Sequence, residues 1–180
     1  MKIYAETARL ILRELLPEDD QGMFDLDSDP EVHRFLGNNP VTDIEQVRAV
    51  IQFVRQQYID NGIGRWAMIE RETGDFIGWT GLKLVTEMRN NHINYIDVGY
   101  RLIRKFWGRG FATESTKASL VYGFHEMGLE NIYATTEIGH LASRHVLEKS
   151  GLKLIEIYES EGMQYNWLQI TRADFESNNK

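Results

Sequence analysis

The sequence predicts an α+β fold whose sheet is mostly antiparallel. Three strand-like runs follow one another in the middle of the chain, at residues 65–71, 76–85 and 92–102. A hairpin turn at residues 72–75 and a short polar connection join these runs, and such connections favour antiparallel pairing. Helical patterns lie before and after the three runs. This grouping of strands and helices is typical of an α+β fold.

The N-terminal part of the chain predicts one strand followed by helices. Residues 7–14 are rich in β-branched side chains and roughly alternate in polarity, which indicates a strand. Pro17 followed by acidic residues indicates a helix start, and residues 29–35 predict a further short helix. Thr42 or Asp43 is a capping residue before apolar side chains spaced three or four apart, which predicts a long helix.

The C-terminal part predicts two more helices and three strands. The helices cover residues 110–127 and 141–150, and Gly128 and Gly151 end them. The last four residues, 177–180, are predicted to be a frayed tail. The strands cover residues 132–137, 152–160 and 163–171, the last two as a hairpin.

Length and composition exclude several classes of protein. With 180 residues, 42% of them hydrophobic, residues 1–180 are expected to form a single domain. There is no basic-flanked apolar run at the N-terminus and no apolar stretch of about 18 residues, so a cytoplasmic location is expected and a membrane span is not. The net charge of −7 argues against a nucleic-acid binder. The chain has no Cys, and its five His show no paired ligand spacing, so no metal site is predicted.

One stretch points to a binding site: residues 95–114 predict a strand, a Gly-x-Gly turn and the start of a long helix. Gly108 and Gly110 carry no Cβ, so the backbone can turn sharply there, and the first N–H groups of the helix have no partner. These donors, the helix dipole and the cations Lys105 and Arg109 suit a phosphate. A plain tight turn is the alternative, because a lone Gly-x-Gly is a weak signal.

Two named phosphate-binding motifs do not match this stretch. A dinucleotide fingerprint requires a third small residue three positions after Gly110, where the chain has Thr113. A Walker loop requires a following Gly-Lys-Ser/Thr, which is not present. A dinucleotide-binding domain is therefore a distant alternative, which the mostly antiparallel sheet also opposes.

Two blocks of sequence resemble the GNAT N-acetyltransferases. Residues 99–102 (Gly-Tyr-Arg-Leu) and 106–114 (Phe-Trp-Gly-Arg-Gly-Phe-Ala-Thr-Glu) are similar to the acetyl-CoA loop of the group that acetylates ribosomal-protein N-termini. Residues 143–152 (Ser-Arg-His-Val-Leu-Glu-Lys-Ser-Gly-Leu) resemble that group's second cofactor motif, in the expected order. The resemblance covers nearly the whole chain and implies an acetyl-CoA co-substrate. The residues that it implies for binding are Leu102, Trp107, Gly108, Arg109, Gly110, Phe111, Ala112, Thr113 and His140.

The resemblance also implies how the sheet is arranged. In the GNAT fold a mixed, mostly antiparallel sheet of six or seven strands carries helices on both faces. The strand that ends at Leu102 is expected to splay from the strand that starts near Ile132, which leaves a V-shaped opening. Pantetheine would lie in this opening like an added strand, with the pyrophosphate on the turn at residues 107–113.

Direct attack of an amine on a thioester requires a neutral nitrogen, a donor for the oxyanion and a proton for the leaving thiolate. Asp97 and Glu137 are the candidate bases, alone or through a water, although both are also typical of ordinary polar strand residues. Ser143 is the candidate acid, because the resemblance places here a Ser that reaches the cofactor thiol. A helix-capping Ser is the alternative. The tyrosines that could replace it are Tyr133, Tyr158 and Tyr165.

Three positions depart from the pattern of the group. His140 stands where the group usually has an Asn that contacts the cofactor, and a histidine is bulkier and titrates near neutrality. Arg104 replaces the usual Pro, and Lys105 stands at an often acidic position. Both add positive charge beside the predicted pyrophosphate site, unless they point to water. We also hypothesise that the loop at residues 37–40 covers a substrate; an ordinary connection is the alternative.

The predicted function is transfer of an acetyl group from acetyl-CoA to a primary amine in a ternary complex. A peptide N-terminus is favoured over a small amine as the acceptor. A cationic acceptor is expected from the acidic residues assigned to the site and to the closing hairpin, Asp97, Glu137, Glu159 and Glu161. A catalytically silent acyl-CoA-binding module is the alternative from another class. The sequence is compatible with a monomer or a homodimer.

Overall fold

The computed structural model describes residues 1–178 of the chain. Within this part, eight strands form one sheet, which confirms the α+β class and exceeds the six or seven strands expected. The strands are β1 Ile3–Glu6, β2 Leu10–Glu14, β3 Trp66–Glu70, β4 Phe76–Val85, β5 Tyr95–Leu102, β6 Asn131–Glu137, β7 Lys153–Ser160 and β8 Met163–Thr171. Their order across the sheet is β1-β2-β3-β4-β5-β6-β8-β7.

Helices cover both faces of the sheet, as expected. In the described chain they are α1 Asp20–Asp27, α2 Ile44–Asn61, α3 Phe111–Val121, α4 Leu141–Lys149 and α5 Arg172–Asn178. Helices α1 and α2 pack on one face, where the buried side chains include Met23, Leu26, Val47 and Ile51. Helices α3, α4 and α5 pack on the other, where the core includes Phe111, Leu120, Leu147 and Phe175. Of the helices within residues 1–178, none has the length and apolar character that crossing a bilayer requires.

The long helix α2 begins and ends as the sequence predicts. The carboxylate of Asp43 accepts a hydrogen bond from the N–H of Glu45 at 2.9 Å, which satisfies one of the unpaired donors of the first turn. Gly62 ends the helix with a φ of 71°, a conformation that glycine adopts most easily. Between them, Val47 and Ile51 turn inward, and burial of each contributes roughly 2 kcal/mol.

Strands β5 and β6 run parallel, whereas all the other neighbouring strands run antiparallel. Their register joins them at Asp97 and Tyr133. Beyond Asp97, β5 remains paired with β4 as far as Leu102 but has no register with β6. The two strands therefore separate toward their C-terminal ends, and the V-shaped opening is present between them.

The first predicted strand is corrected. The strand begins at Leu10 rather than Thr7, because Thr7 starts a tight turn in which its N–H donates to the Leu10 carbonyl at 2.9 Å. The N–H of Leu10 donates to the Thr7 hydroxyl at the same distance. This turn leads back to β1, which was not predicted because a four-residue strand is too short to show a repeating pattern.

Two helix predictions and the predicted C-terminal tail are also corrected. Residues 29–35 form a series of hydrogen-bonded turns and not a helix. The helix predicted to end at residue 127 stops as an α-helix at Val121 and continues as a π-helical turn, Tyr122–Glu126. In the predicted tail at residues 177–180, the first two residues complete α5, and residues 179–180 lie outside the described residues.

Candidate active site

The turn between β5 and α3 exposes backbone donors. Gly108 and Gly110 have φ angles of 71° and 82°, a region that strains any residue with a Cβ. A Cβ at Gly108 would meet no atom within 4 Å, so there is space beside the turn. The first helical hydrogen bond runs from the Glu114 N–H to the Gly110 carbonyl at 3.1 Å. The N–H groups without an acceptor inside the helix are therefore those of Phe111, Ala112 and Thr113, and this arrangement fits a phosphate.

Arg9, which precedes β2, holds this turn from outside. Its Nη1 donates to the Arg109 carbonyl at 2.8 Å, and its Nη2 lies 2.6 Å from Oε2 of Glu114. Its guanidinium also lies 4.4 Å from the centre of the Phe111 ring. Burial alone would raise the pKa of Glu114, but hydrogen bonds from Thr7 and Arg9 outweigh it and lower the pKa. The sequence did not reveal Arg9, because no local pattern marks a contact to a turn 100 residues away.

The side chains of several predicted cofactor residues are engaged in contacts within the protein. The indole Nε1 of Trp107 donates to the Leu102 carbonyl at 2.8 Å, which links the turn to the end of β5. Nη2 of Arg109 lies 2.8 Å from Oε1 of the nearly buried Glu70. The Phe111 ring is 1% exposed and belongs to the core. The backbone of the turn, rather than the Arg109 side chain, is therefore placed to meet an anion.

The two additional cations beside the turn are also engaged. Nε of Arg104 lies 3.1 Å from Oδ2 of Asp29, in the segment that joins α1 to α2. Nζ of Lys105 lies 4.8 Å from the centre of the Phe106 ring. The Arg104 charge is thus offset by Asp29, and it ties the end of β5 to the opposite face of the sheet.

The opening leaves one edge of β5 free. In the described part of the chain, β5 has no strand neighbour on the side of β6 from Val98 to Leu102, and this edge leads directly toward the turn that precedes α3. An extended chain with amide groups can pair with such an edge as an added strand. The free edge and the turn together fit a long cofactor with a phosphate at one end, and the binding roles of the residues that the sequence identified stay predictions.

Ser143 lies close to β5. The hydroxyl of Tyr100 donates to Oγ of Ser143 at 3.3 Å, so a side chain of the strand meets a side chain of α4 beside the opening. Burial raises the pKa of Tyr100, and the contact with Ser143 offsets only part of that shift. Tyr100 was not among the tyrosines weighed as proton donors, although it lies within the first motif.

The tyrosines weighed as alternatives to Ser143 lie elsewhere. Tyr133 and Tyr158 pack around Trp167, with ring centres 5.3 and 5.8 Å from it, and Tyr158 also stacks on Tyr165. Alternation along β6 places Tyr133 on the face opposite the buried Ala134, and α4 packs on the side of Ala134. The structure therefore brings Tyr100, and none of these three, to Ser143.

The two candidate bases have different surroundings. The Asp97 carboxylate is 8% exposed and forms an ion pair with Arg65, whose Nη1 also donates to the Asp97 carbonyl at 2.9 Å. Glu137 ends β6 opposite Tyr165 and is half-buried. Its carboxylate forms no ion pair within residues 1–178. Of the two, Glu137 is the carboxylate that is free to accept a proton.

His140 contacts the segment between α1 and α2. Its ring stacks on Phe35 with a centroid distance of 4.4 Å and an interplanar angle of 18°. Burial lowers the pKa of His140, which favours the neutral imidazole. The segment that contains the hypothesised flap at residues 37–40 thus reaches the start of α4 through Phe35. Whether His140 also touches the cofactor stays a prediction.

Comparison with known proteins identifies the family. Residues 9–153 match the model of the acetyltransferase (GNAT) domain. The chain is 31% identical to p20, an uncharacterized N-acetyltransferase of Bacillus licheniformis, over 84% of this chain and 91% of the relative. The chain therefore belongs to the GNAT acetyltransferase family. It is an acetyl-CoA-dependent N-acetyltransferase.

Solved structures show the same fold at low sequence identity. An acetyltransferase (GNAT family) from Bacillus anthracis superposes with a TM-score of 0.78 at 21% identity, and the match covers 96% of this chain and 99% of that one. RimL, a ribosomal alpha-N-protein acetyltransferase in complex with coenzyme A, superposes with a TM-score of 0.77 at 16% identity, with 94% and 98% coverage. Within residues 1–178, no group of three or more His, Cys, Asp or Glu side chains is placed to hold a metal ion.

Proposed function

We propose that the protein transfers the acetyl group of acetyl-CoA to a primary amine by direct attack while both substrates are bound. The observation that carries this proposal is the meeting of Tyr100 and Ser143 at the free edge of β5, which leads to the phosphate-binding turn. Glu137 lies at the end of the other strand of the opening, as a carboxylate without an ion pair. A proton donor and a proton acceptor thus flank one opening, as acyl transfer requires.

Acetyl-CoA, when bound, supplies the thioester that the amine attacks and the thiolate that leaves. We assign its pyrophosphate to the N–H groups at the start of α3 and its extended arm to the free edge of β5. Arg9 and Glu70 stabilise the turn by binding the Arg109 carbonyl and guanidinium. We also assign the neutral ring of His140 to a contact with the cofactor, because the ribosomal-protein N-terminal acetyltransferases usually have an Asn at this position.

The chain's own residues then move two protons. Because the Tyr100 hydroxyl donates its hydrogen to Ser143 Oγ, the hydroxyl hydrogen of Ser143 is left free to protonate the leaving thiolate. Ser143 is then restored by the second proton, which the nitrogen loses after it has attacked the thioester. The raised pKa of Tyr100 keeps that tyrosine protonated and able to donate. Glu137 takes the proton of the ammonium group, directly or through a water. Asp97 is the second candidate for this role, but its carboxylate is already engaged in the ion pair with Arg65.

A peptide N-terminus is the acceptor that we favour, of the kind modified by the ribosomal-protein N-terminal acetyltransferases. Both cofactor motifs of this chain resemble that group. The opening between β5 and β6 lies at the C-terminal ends of both strands, so a chain end could enter there without threading. A small amine is the second candidate acceptor.

The test measures thiol release from acetyl-CoA with a panel of ribosomal-protein N-terminal peptides, amino acids, polyamines and aminoglycosides. Calorimetry measures the binding of coenzyme A in parallel. Thiol release that requires an amine supports the proposal. Tight binding of coenzyme A without thiol release across the panel would contradict it and would favour a catalytically silent acyl-CoA-binding module.

A further inference from the structure

Lys83 is a half-buried cation on the face of the sheet that packs against α1 and α2. In the register of β4 and β5 it lies opposite Asp97, and directly opposed residues share a face. Trp79 and Arg101 form another such pair on this face. We call the surface defined by Trp79, Lys83, Asp97 and Arg101 the acceptor face, because it lies opposite the helices that carry the cofactor motifs.

The other charges of the acceptor face are paired within the protein. Asp97 binds Arg65, and both side chains are largely buried. Nη1 of Arg101 lies 2.5 Å from Oδ1 of the buried Asp27. Lys83 forms no hydrogen bond and no ion pair with any side chain in the described part of the chain. It is thus the cation of this surface to which no carboxylate within residues 1–178 is hydrogen-bonded.

An unpaired, half-buried ammonium is costly. Burial lowers the pKa of Lys83, the charges of Arg65 and Arg89 lower it further, and Asp97 and Glu87 act in the opposite direction. The penalty is removed when an anion binds, because a desolvated charge is stabilised only by a partner. A half-buried, unpaired ammonium group beside a substrate opening can bind an anionic group of the substrate.

We propose that the acceptor amine carries a carboxylate and that Lys83 binds this carboxylate. The inference rests on the proposed function and specifies its class of acceptor. It differs from the cationic acceptor expected from the sequence, which was based on the charges of Asp97, Glu137, Glu159 and Glu161. Arg65 occupies Asp97, and Glu159 and Glu161 lie exposed at the hairpin between β7 and β8.

The distance between Lys83 and Glu137, the two charged groups without an ion pair, restricts the shape of the acceptor. Asp97, opposite Lys83, pairs with Tyr133 where the opening begins. Glu137 lies further along β6, roughly 13 Å from Tyr133 at the rise of a strand. An acceptor that meets both Lys83 and Glu137 therefore holds its carboxylate and its amine well apart. Free lysine, acetylated on its side-chain amine, has this shape, and so does a peptide whose N-terminus precedes an acidic residue.

The first experiment measures binding rather than turnover. Calorimetry on the protein saturated with coenzyme A compares two matched pairs: lysine with cadaverine, which lacks only the carboxylate, and a peptide beginning Ala-Glu with the same peptide beginning Ala-Gln. We expect the carboxylate-bearing member of at least one pair to bind about 10-fold more tightly, the usual effect of a charge-assisted contact. A preference in the lysine pair identifies a free amino acid as the source of the carboxylate, and a preference in the peptide pair identifies a peptide.

The second experiment assigns the preference to Lys83. We expect Lys83→Gln to reduce the ratio of the two affinities by about 10-fold and Lys83→Arg to retain most of it. Lys117→Gln, which removes an exposed lysine from α3, is the matched control and should leave the ratio unchanged. Thermal melts confirm that each variant is folded.

The outcomes separate this inference from the proposed function. Equal affinity for both members of each pair, or a preference that survives in Lys83→Gln, overturns the inference. Amine-dependent thiol release without any carboxylate preference would leave acetyl transfer intact and remove only the acceptor class. A preference that depends on Lys83, without thiol release, would support the carboxylate site and contradict acetyl transfer.

Discussion

The phosphate-binding turn and the acceptor face are built in different ways. In the proposed function the turn binds phosphate through backbone N–H groups, which are positioned by two glycines and the start of a helix, all within a few residues of one another. The acceptor face depends on side chains from distant parts of the chain: Arg65 and Asp97 are 32 residues apart, and Arg101 and Asp27 are 74 apart. A local motif can specify the first kind of site, whereas only the folded sheet assembles the second.

The two regions also differ in which of their charged side chains are paired. At the turn, Arg109 and Arg104 are bound by Glu70 and Asp29, and the backbone is left open. On the acceptor face, Asp97 and Arg101 are paired with Arg65 and Asp27, and Lys83 is the charged residue of this face whose side chain has no hydrogen bond or ion pair within residues 1–178. Under the two proposals, the cofactor side recognises its ligand by shape and dipole, and the acceptor side recognises its ligand by a single charge.

The largest predicted effect tests whether Asp97 is structural. Asp97→Ala would leave the Arg65 guanidinium largely buried without its carboxylate, so we expect the free energy of unfolding to fall by about 3 kcal/mol. Urea denaturation measures this loss. The double variant Arg65→Met with Asp97→Leu should recover much of it, because it removes both charges. Unchanged stability together with lost turnover would instead identify Asp97 as the catalytic base.

The second prediction concerns Ser143 on the cofactor side. If Ser143 donates the proton to the thiolate, Ser143→Ala should lower kcat by about 100-fold, which corresponds to a rise of roughly 2.7 kcal/mol in the activation free energy. The affinity for coenzyme A should change little. Stopped-flow thiol release measures kcat, and calorimetry measures affinity. Tyr100→Phe serves as the comparison, and a smaller loss is expected there because Tyr100 acts through Ser143. A Ser143→Ala variant that loses melting temperature but keeps its turnover would show that Ser143 only caps α4.

Ser143, Asp97 and Tyr100 show how much of the site could be predicted from the sequence. Ser143 was selected from the resemblance to the second cofactor motif, and its role stays a prediction. The order of most strands and helices followed from periodicity and turns. The ion pair of Asp97 and the contact of Tyr100 were not found, because each requires knowing which strands and helices become neighbours. The first strand, residues 3–6, and helix α5 were missed because short elements carry too few repeats.

The third prediction sharpens the role of the backbone in the turn. Gly110→Val should weaken binding of coenzyme A at least about 10-fold, or roughly 1.4 kcal/mol, because a β-branched residue is strained at a φ of 82° and blocks approach to the N–H groups. Calorimetry measures the dissociation constant. Gly128→Val is a matched control, since Gly128 also has a positive φ (67°) but lies away from the turn. Equal losses of affinity in both variants would show that the effect is one of general stability.

The smallest predicted effect lies where the two regions meet, at His140 and Phe35. Burial lowers the pKa of His140 below its usual value of about 6.5, whereas the unfolded chain keeps that value. Above pH 6.5 the imidazole is neutral in both states, so its contribution to stability is fully present. As the pH falls below 6.5, the unfolded chain binds a proton that the folded protein does not, and stability is lost until the folded pKa is passed.

His140→Asn should therefore make the protein less sensitive to acid between pH 6.5 and 5. Urea midpoints measured at both pH values give the loss for wild type and variant, and the variant should lose less. His145→Asn, which changes an exposed histidine of the same helix, is the control and should keep the wild-type dependence. If His140→Asn and wild type lose stability equally, the ring is not shielded by Phe35. The segment between α1 and α2 would then not be closed over the start of α4, and the acceptor side would be more open than the structure describes.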